Sequence, residues 1–243
     1  MAGLLTDAID AHGGERRWKR VAEIGAHVRS GGLLMRVKGR SRSFIDYGLN
    51  VSTGKQSASI EPYPAPGTTG LYAGDSVRIL AADGSVAEER EDPRAAFSGR
   101  AGLRRNLRWD ELDALYFAGY AMWNYLNLPF LLARPGFESS EGDPIEVDGE
   151  RWRRLDAVFP HGFHTHCRKQ TLYFDERNLL RRHDYSPDVV SPLANAAHFS
   201  DEHTEVDGLV FPTKRRVVPK APGGHPLPGP SVVWIELSAI KVG

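Results

Sequence analysis

The spacing of hydrophobic residues divides the chain into four stretches, each typical of a different kind of element. Over residues 3–22, apolar side chains recur at helical intervals up to Gly13 and Gly14 and again around Trp18, which predicts short N-terminal helices. Over residues 24–91, apolar runs separated by glycine-containing turns predict a first set of strands. The individual runs are 24–37, 43–51, 56–63, 77–80 and 86–90.

Residues 93–134 are predicted to form a helical insert between two regions of strands. Asp110 and Glu111 are acidic residues of the kind that favour a helix N-terminus. Residues 112–132, which follow them, are apolar on nearly every side, and a helix of this kind has to be enclosed on every side. Because Gly119, two asparagines and a proline interrupt the apolar stretch, we expect a buried helix and no integral membrane segment.

Residues 137–243 are predicted to form a second set of strands. Asp-Gly pairs at 148–149 and 207–208 mark hairpin turns. No stretch between the strands is long enough for a crossover helix, so the sheet is expected to be antiparallel. The prediction is therefore one domain over 1–243, mainly β (α+β), in which a curved antiparallel sheet of roughly ten strands forms a half-barrel around the apolar helix. The runs in this set are 152–159, 165–174, 179–185, 197–204, 209–218 and 232–240.

Composition and charge narrow the classes of partner. The chain has 31 Lys and Arg and 31 Asp and Glu, so its net charge of zero argues against a general binder of nucleic acid or of anionic membranes, which requires excess cations. Cys167 is the single cysteine, which excludes an intramolecular disulfide and a thiolate zinc cluster. The first residues show no basic segment followed by a long apolar run, so no signal peptide is expected and a cytoplasmic location is predicted.

Several of these features together resemble a known superfamily. His12-Gly13-Gly14 with Trp18, the long early strands and the apolar helix between two sets of strands resemble the LolA/LppX-like lipoprotein carriers. The segments 170–175, 180–185 and 206–213 resemble a group of actinobacterial proteins of that architecture with no assigned activity. The resemblance implies an incomplete β-barrel closed by helices, with an apolar cavity for acyl chains or other lipids. The missing export signal departs from the carriers, and the resemblance transfers no functional residues.

The first functional hypothesis is a cytosolic binding protein for a hydrophobic small molecule or acyl chain. Aromatic residues of the apolar helix are expected to face the inner surface of the sheet, leaving a largely apolar pocket with a few polar groups. No cofactor is expected, and protein partners are not indicated by the sequence. The expected ligand-binding residues are Tyr116, Tyr120, Trp123, Tyr125, Asp46, His166 and His198.

The alternative hypothesis is a cofactor-free acid–base enzyme of small-molecule or secondary metabolism, of a cyclase, isomerase or hydrolase type. On a strand, Arg181, His183 and Tyr185 share one face, with Asp184 on the other. Such a face offers a titratable base, a cation for a developing oxyanion and a phenol donor. The sequence leaves open whether the chain is an enzyme. Convergence of the histidines beside an apolar cavity would favour the enzyme, and scattered histidines the binding protein.

A metal site is a further alternative. His164 and His166 are two residues apart, so on a strand both imidazoles would point to the same face. Two such imidazoles can reach one ion, and His183 could supply a third ligand. A structural or surface role for these histidines is favoured over a metal site, and no metal is expected.

Overall fold

Thirteen antiparallel strands form one continuous sheet in the computed structural model, which describes residues 3–40, 42–191, 193–221 and 224–243. The sheet is curved and unclosed, as predicted. Its strands are β1 (Glu23–Gly31), β2 (Asp46–Ser52), β3 (Ser57–Glu61), β4 (Thr69–Ala73), β5 (Ser76–Leu80), β6 (Val86–Glu91), β7 (Glu138–Val147), β8 (Glu150–Val158), β9 (Lys169–Phe174), β10 (Leu180–Tyr185), β11 (Ala196–Val206), β12 (Leu209–Pro219) and β13 (Val233–Val242).

The two sets of strands are joined through the first and last strands. The order across the sheet is β6-β5-β4-β3-β2-β1-β13-β12-β11-β10-β9-β8-β7. Strand β1 pairs with β13 over most of its length, with Ile24 opposite Val242 and Gly31 opposite Trp234. This pairing joins residues about as far apart in sequence as the chain allows, and it turns two meanders into one sheet.

The predicted count of roughly ten strands is too low. Strands β4 and β7 were not among the predicted runs. Strand β4 is only five residues long and contains Gly70, whereas β7 carries few apolar residues and is mostly exposed. Neither strand therefore shows the alternating pattern on which a prediction depends.

Two predicted strands are shorter than expected. The run 24–37 is a strand only to Gly31, and Leu33–Val37 is helical. Gly32 separates the two at φ 121°, and a Cβ there would lie 2.6 Å from the carbonyl oxygen of Val232. The run 165–174 is a strand only from Lys169, so the prediction that His166 lies on a strand is wrong, and His164 lies in the same loop.

One long helix lies against the concave face of the sheet. It is α5 (Glu111–Asn127), and the residues 112–127 are all buried, as the prediction of enclosure required. Asp110 and Asp113 form a reciprocal capping box at its N-terminus. The helix ends before Pro129, earlier than the apolar stretch itself, which continues as a short 3₁₀ turn over Phe130–Ala133.

The remaining helices are short. They are α1 (Leu4–Ala11), α2 (Glu15–Trp18), α3 (Leu33–Val37) and α4 (Gly99–Arg105), with a 3₁₀ turn at Ala95–Phe97. Trp18 stacks on Phe130 with ring centroids 4.2 Å apart, which places the N-terminal helices against the end of the helical insert. Within the described ranges, no helix has both the length and the hydropathy needed to span a bilayer.

Candidate functional site

An apolar cavity of about 560 Å³ lies between α5 and the sheet. Its inner walls come from α5 and from the adjoining parts of β1, β12 and β13. Its outer walls come from α3 and from the connections that follow β10 and β12. Residues on the inner walls include Phe117, Ala118, Ala121, Met122, Tyr125, Val217, Val233 and Ile235, and those on the outer walls include Leu33, Leu34, Val37, Val190, Leu193 and Leu227.

The space inside the cavity depends on small residues of α5. Ala118 and Ala121 line it between the larger Phe117, Met122 and Tyr125, which lie on the same helix face. An alanine at such a position leaves unfilled the volume that a leucine or phenylalanine would occupy. The cavity opens to solvent on its outer side, because four of the residues that line it there are exposed, namely Leu33, Val37, Leu193 and Leu227.

Two tyrosines of the inner wall are hydrogen-bonded to each other. Tyr125 and Tyr185 both line it, and their hydroxyl oxygens are 2.8 Å apart. The Tyr125 hydroxyl also lies 2.7 Å from Nε2 of His166, and the Tyr185 hydroxyl lies 3.4 Å from Nδ1 of His198. The ring of His166 stacks on that of Tyr185 at 3.9 Å. The tyrosines therefore separate the cavity from a buried layer of histidines.

Two histidines in the loop between β8 and β9 contact two tyrosines of α5. Tyr116 and Tyr120, one turn apart on α5, meet His164 and His166, two residues apart in the loop. Their hydroxyls lie 2.8 Å and 3.1 Å from the respective Nδ1 atoms. Nε2 of His164 lies 3.0 Å from the carboxylate of Asp75. Each of these histidines thus has two partners in the protein.

A buried arginine lies behind the same wall. The Arg215 guanidinium donates to the hydroxyl of Ser200 and to the backbone carbonyl of Tyr125, at 3.3 Å and 3.2 Å. That carbonyl belongs to the last turn of α5, where the helix dipole favours a cation, and this accounts for an arginine without a carboxylate partner. Burial lowers the pKa of Arg215 to about 10, so its charge is retained at neutral pH.

Burial shifts the pKa values of the tyrosines and of the histidines in opposite directions. It raises the pKa of Tyr125 and of Tyr185 well above the usual value, because the phenolate loses its hydration. Burial lowers the pKa of His166 and of His198 well below the usual value for a histidine, and it lowers the pKa of His183 to about 3. At neutral pH the network is therefore made of neutral phenols and neutral imidazoles, and neither partner readily exchanges a proton with the other.

The predicted catalytic group does not assemble. The pairing of β10 with β9 shifts between Leu180 and Arg182, so Arg181 is an extra residue of a bulge. Its guanidinium pairs with Asp201 at 2.9 Å and does not share the face of His183. Asp184 faces away from the cavity and pairs with Arg182 and Lys220, at 2.7 Å and 2.9 Å. Tyr185 is the one member that lines the cavity.

The remaining member, His183, is fully enclosed. Its Nε2 lies 2.5 Å from the side-chain oxygen of Gln170, and its ring centroid is 6.2 Å from that of His198. Nδ1 of His183 and Nε2 of His198 have no hydrogen-bond partner among the described residues. His166, His183 and His198 therefore do converge, but behind the tyrosine wall.

Of the predicted ligand-binding residues, Tyr125 reaches the cavity. Tyr116 and Tyr120 turn toward the histidine loop, and the Trp123 indole donates to the carbonyl of Ser52 at 2.7 Å. Asp46 was expected in the pocket, but its exposed carboxylate pairs with His27 at 2.7 Å on the outer side of the sheet. Strand alternation explains this, since the buried Tyr47 occupies the inward position.

Sequence reasoning missed most of the lining. The outer walls come from α3, which was predicted as a strand, and from the connections at 187–196 and 219–232. No local pattern marked those segments as cavity walls, because single apolar residues are common in surface connections.

The alternative metal site is not formed. His164 and His166 are directed at tyrosines on α5 and do not converge with His183 on a common point. Throughout the part of the chain that the structure describes, no three His, Cys, Asp or Glu side chains come together in a way that could hold a metal ion.

Acid should weaken the fold through these buried histidines. Their pKa values are lower in the folded state than the ordinary 6.5, so below pH 6.5 the unfolded chain binds protons that the folded chain excludes. The free energy of unfolding is therefore expected to fall from pH 6.5 toward about pH 5, by up to about 1.4 kcal/mol per pH unit for each histidine. Urea unfolding over this range measures the slope.

The variant His183→Gln should make that slope shallower, because one histidine with a lowered pKa is removed. His161→Gln, at an exposed position, is the matched control and should keep the slope of the parent protein. An unchanged slope in His183→Gln would contradict the assignment.

Comparisons with proteins of known structure identify the architecture. A LolA superfamily protein of Nitrosomonas europaea superposes with a TM-score of 0.53 at 12% identity, covering 98% of this chain and 92% of that one. A Vibrio parahaemolyticus domain named for outer-membrane lipoprotein sorting superposes with a TM-score of 0.51 at 10% identity, covering 98% and 90%.

The lipoprotein LppX of Mycobacterium tuberculosis aligns over 97% of this chain and 93% of its own, at 12% identity. Its TM-score of 0.32 is too low to support the assignment. No family model matches the sequence, and no curated protein matches it. The likeness is therefore one of architecture, an unclosed antiparallel sheet curved around an enclosed helix, and by that architecture the chain has the fold of the LolA superfamily.

Proposed function

We propose that the protein binds a hydrophobic small molecule or an acyl chain in the cavity between α5 and the sheet, in the cytoplasm. The observation that carries the proposal is the cavity of about 560 Å³ with its aliphatic and aromatic lining. This volume lies within the roughly 300–1,000 Å³ typical of small-molecule sites. Transfer of apolar ligand surface from water to such walls supplies about 25 cal/mol per Å².

The polar groups at the cavity wall suit a ligand with one polar end. Tyr125 and Tyr185 are bonded to each other and to buried histidines, so they hold fixed positions from which a hydroxyl can meet a carbonyl or carboxyl oxygen. The fold supports the same class of ligand, because one protein that shares it is named for lipoprotein sorting. One fold hosts many functions, so the cavity carries more weight than the likeness.

The cytoplasmic location rests on a separate feature. The lone cysteine, Cys167, has a half-buried thiol, and the fold uses no disulfide within the described residues. A fold that needs no disulfide can form in a reducing compartment, where disulfides are rare.

The test is to extract the purified protein with organic solvent under native and denaturing conditions and to analyse both extracts by mass spectrometry. Emptied protein is then titrated with a fluorescent fatty acid. We expect a stoichiometric lipid or other apolar compound in the denaturing extract, or saturable binding of the fatty acid at one site. A protein that yields no compound and shows no saturable binding would overturn the proposal.

A second candidate function is the acid–base enzyme. The observation that favours it is the convergence of His166, His183 and His198 behind Tyr125 and Tyr185, two residues that line the cavity. The opposite shifts of the tyrosine and histidine pKa values count against proton transfer through this network. We therefore place the binding protein first.

Conversion of the extracted compound separates the two candidates. Incubation with the wild-type protein should leave the compound unchanged if the protein is a binder, as judged by mass spectrometry. If a product forms with the wild type and not with Tyr185→Phe, which keeps the aromatic wall and loses the hydroxyl, the enzyme is the better description.

A further inference from the structure

Exposed hydrophobic side chains concentrate around the mouth of the cavity. Eight large hydrophobic side chains are exposed among the described residues, and six of them lie on the segments that surround the opening. Leu193 is the most exposed, at 89%. Scattered single exposures would need no explanation, but a cluster at a cavity mouth does. The six are Leu33, Val37, Leu103, Leu107, Leu193 and Leu227.

These segments form one connected surface, which we call the rim and which comprises residues 33–38, 103–108, 189–191, 193–195, 219–221 and 224–232. The ammonium of Lys38 donates to the carbonyls of Arg105, Asn106 and Val190, at 3.0, 2.8 and 3.0 Å. Backbone bonds complete the connections, from Leu34 to the Val232 carbonyl and from Lys220 to the Asn195 carbonyl, both at 2.9 Å. The segments that carry the exposed leucines are therefore joined to one another by hydrogen bonds.

The residues of the rim include no acid, and Asp188, the exposed acid directly before residue 189, is paired with Arg94 at 3.1 Å. The chain has equal numbers of acidic and basic residues, yet the stretches 24–45, 93–109, 189–200 and 208–235 contain no Asp or Glu. Within the rim, Lys220 pairs with Asp184 and Arg105 with Asp113.

Three rim arginines remain unpaired. Arg36, Arg104 and Arg108 are exposed and lie outside every ion pair formed by the described residues. Arg36 stands between Met35 and Val37, both of which line the cavity, so cationic and apolar groups alternate at the opening.

We propose that the rim docks on the surface of an anionic phospholipid bilayer, with the cavity mouth facing the lipid. The leucines are suited to enter the boundary between headgroups and acyl chains, while the three arginines meet the lipid phosphates. An acyl chain could then pass between the bilayer and the cavity without crossing water. This last step rests on the proposed function, whereas the docking itself does not. A second copy of the chain would be a poorer occupant, since two cationic rims repel each other.

The first test measures binding of the purified protein to vesicles by co-sedimentation. One set of vesicles is made of phosphatidylcholine alone, and the other of equal parts of phosphatidylcholine and phosphatidylglycerol. We expect the protein to sediment with the vesicles that contain phosphatidylglycerol, to bind the others weakly, and to be released by added salt. Equal binding to both sets, or no binding to either, would overturn the proposal.

The second test removes the rim charge. Each arginine near an anionic surface contributes about 1 kcal/mol, so Arg36→Gln, Arg104→Gln and Arg108→Gln combined should lower the partition coefficient on the order of 100-fold. The matched control combines Arg16→Gln, Arg20→Gln and Arg151→Gln, three exposed positions outside the rim with the same change in net charge. An equal loss in the control would show that net charge, and not the rim, governs binding.

The third test reports insertion directly. In Leu193→Trp, the added indole emission should shift to shorter wavelength when vesicles containing phosphatidylglycerol are added. No shift would contradict docking through the rim. The protein could instead associate with itself, which sedimentation without vesicles would detect. If Leu193→Ser abolished that association, the rim would be an interface between two copies of the chain, and the membrane proposal would be wrong.

These outcomes are separable from those for ligand binding. A protein that releases a stoichiometric lipid on extraction but never binds vesicles would keep the proposed function and lose the docking. A protein that binds vesicles through the rim, yields no compound on extraction and takes up no fatty acid would keep the docking and lose the proposed function.

Discussion

Gly119→Leu is expected to lower the free energy of unfolding by about 3 kcal/mol or more, or to prevent folding. At Gly119 the helix α5 lies close against β4. A Cβ at this position would be 2.4 Å from the Cβ of Tyr72 on β4, closer than side chains approach in folded proteins. Because Tyr72 is fully buried against Tyr116, it cannot move aside without disturbing the aromatic core. Urea unfolding monitored by circular dichroism measures the loss.

Gly54→Leu is the matched control for this prediction. Gly54 is exposed, and a Cβ there would meet only the hydroxyl of Ser52, at 3.9 Å. We expect it to change the stability by less than about 0.5 kcal/mol. A Gly119→Leu protein as stable as this control would mean that the helix does not pack on β4 in the way described.

Ala121→Trp is expected to abolish ligand binding while leaving the fold intact. Ala121 is buried on α5 and lines the cavity, so an indole at this position can enter the existing space. The filled volume is no longer available to a ligand, and we expect the affinity for the fluorescent fatty acid to fall at least about tenfold, or ~1.4 kcal/mol. The stability should change by no more than about 1 kcal/mol, because burial of the indole offsets any local strain.

Ala87→Trp provides the control, with the same substitution at an exposed position on β6. It should bind the fatty acid as the parent protein does. If Ala121→Trp also binds normally and is stable, the ligand occupies another place and the cavity is not the site. If Ala121→Trp fails to fold, Ala118→Leu, a smaller change on the same wall, tests the same point.

The candidate site was only partly predictable from the residues that compose it. The aromatic residues of the apolar helix were singled out correctly as inward-facing, but only Tyr125 reaches the cavity. The helix turns Tyr116 and Tyr120 toward His164 and His166, which lie in a loop where a strand was predicted from residue 165 onward. Which of several buried aromatics faces a cavity depends on what packs opposite each one, and periodicity does not carry that information.

The bulge at Arg181 shows the same limit for a single residue. A regular strand places Arg181 beside His183 and Tyr185, and the sequence contains nothing that forbids this arrangement. One shift in the pairing of β10 with β9 moves its guanidinium to Asp201 on the other side of the sheet. Register errors of one residue reverse the face of a side chain, and the register is decided by the neighbouring strand.

The sequence by itself determined the class of fold. A segment apolar on every side requires enclosure, strands joined by short turns require antiparallel pairing, and the two together require a sheet curved around a helix. These are local properties, visible in spacing and turn residues. Only the tertiary structure decided the pairing of β1 with β13, the helical turn after Gly32 and the cavity beside Ala121. Each of these depends on contacts between residues that are distant along the chain. The free energies of such contacts cannot be read from a local sequence pattern.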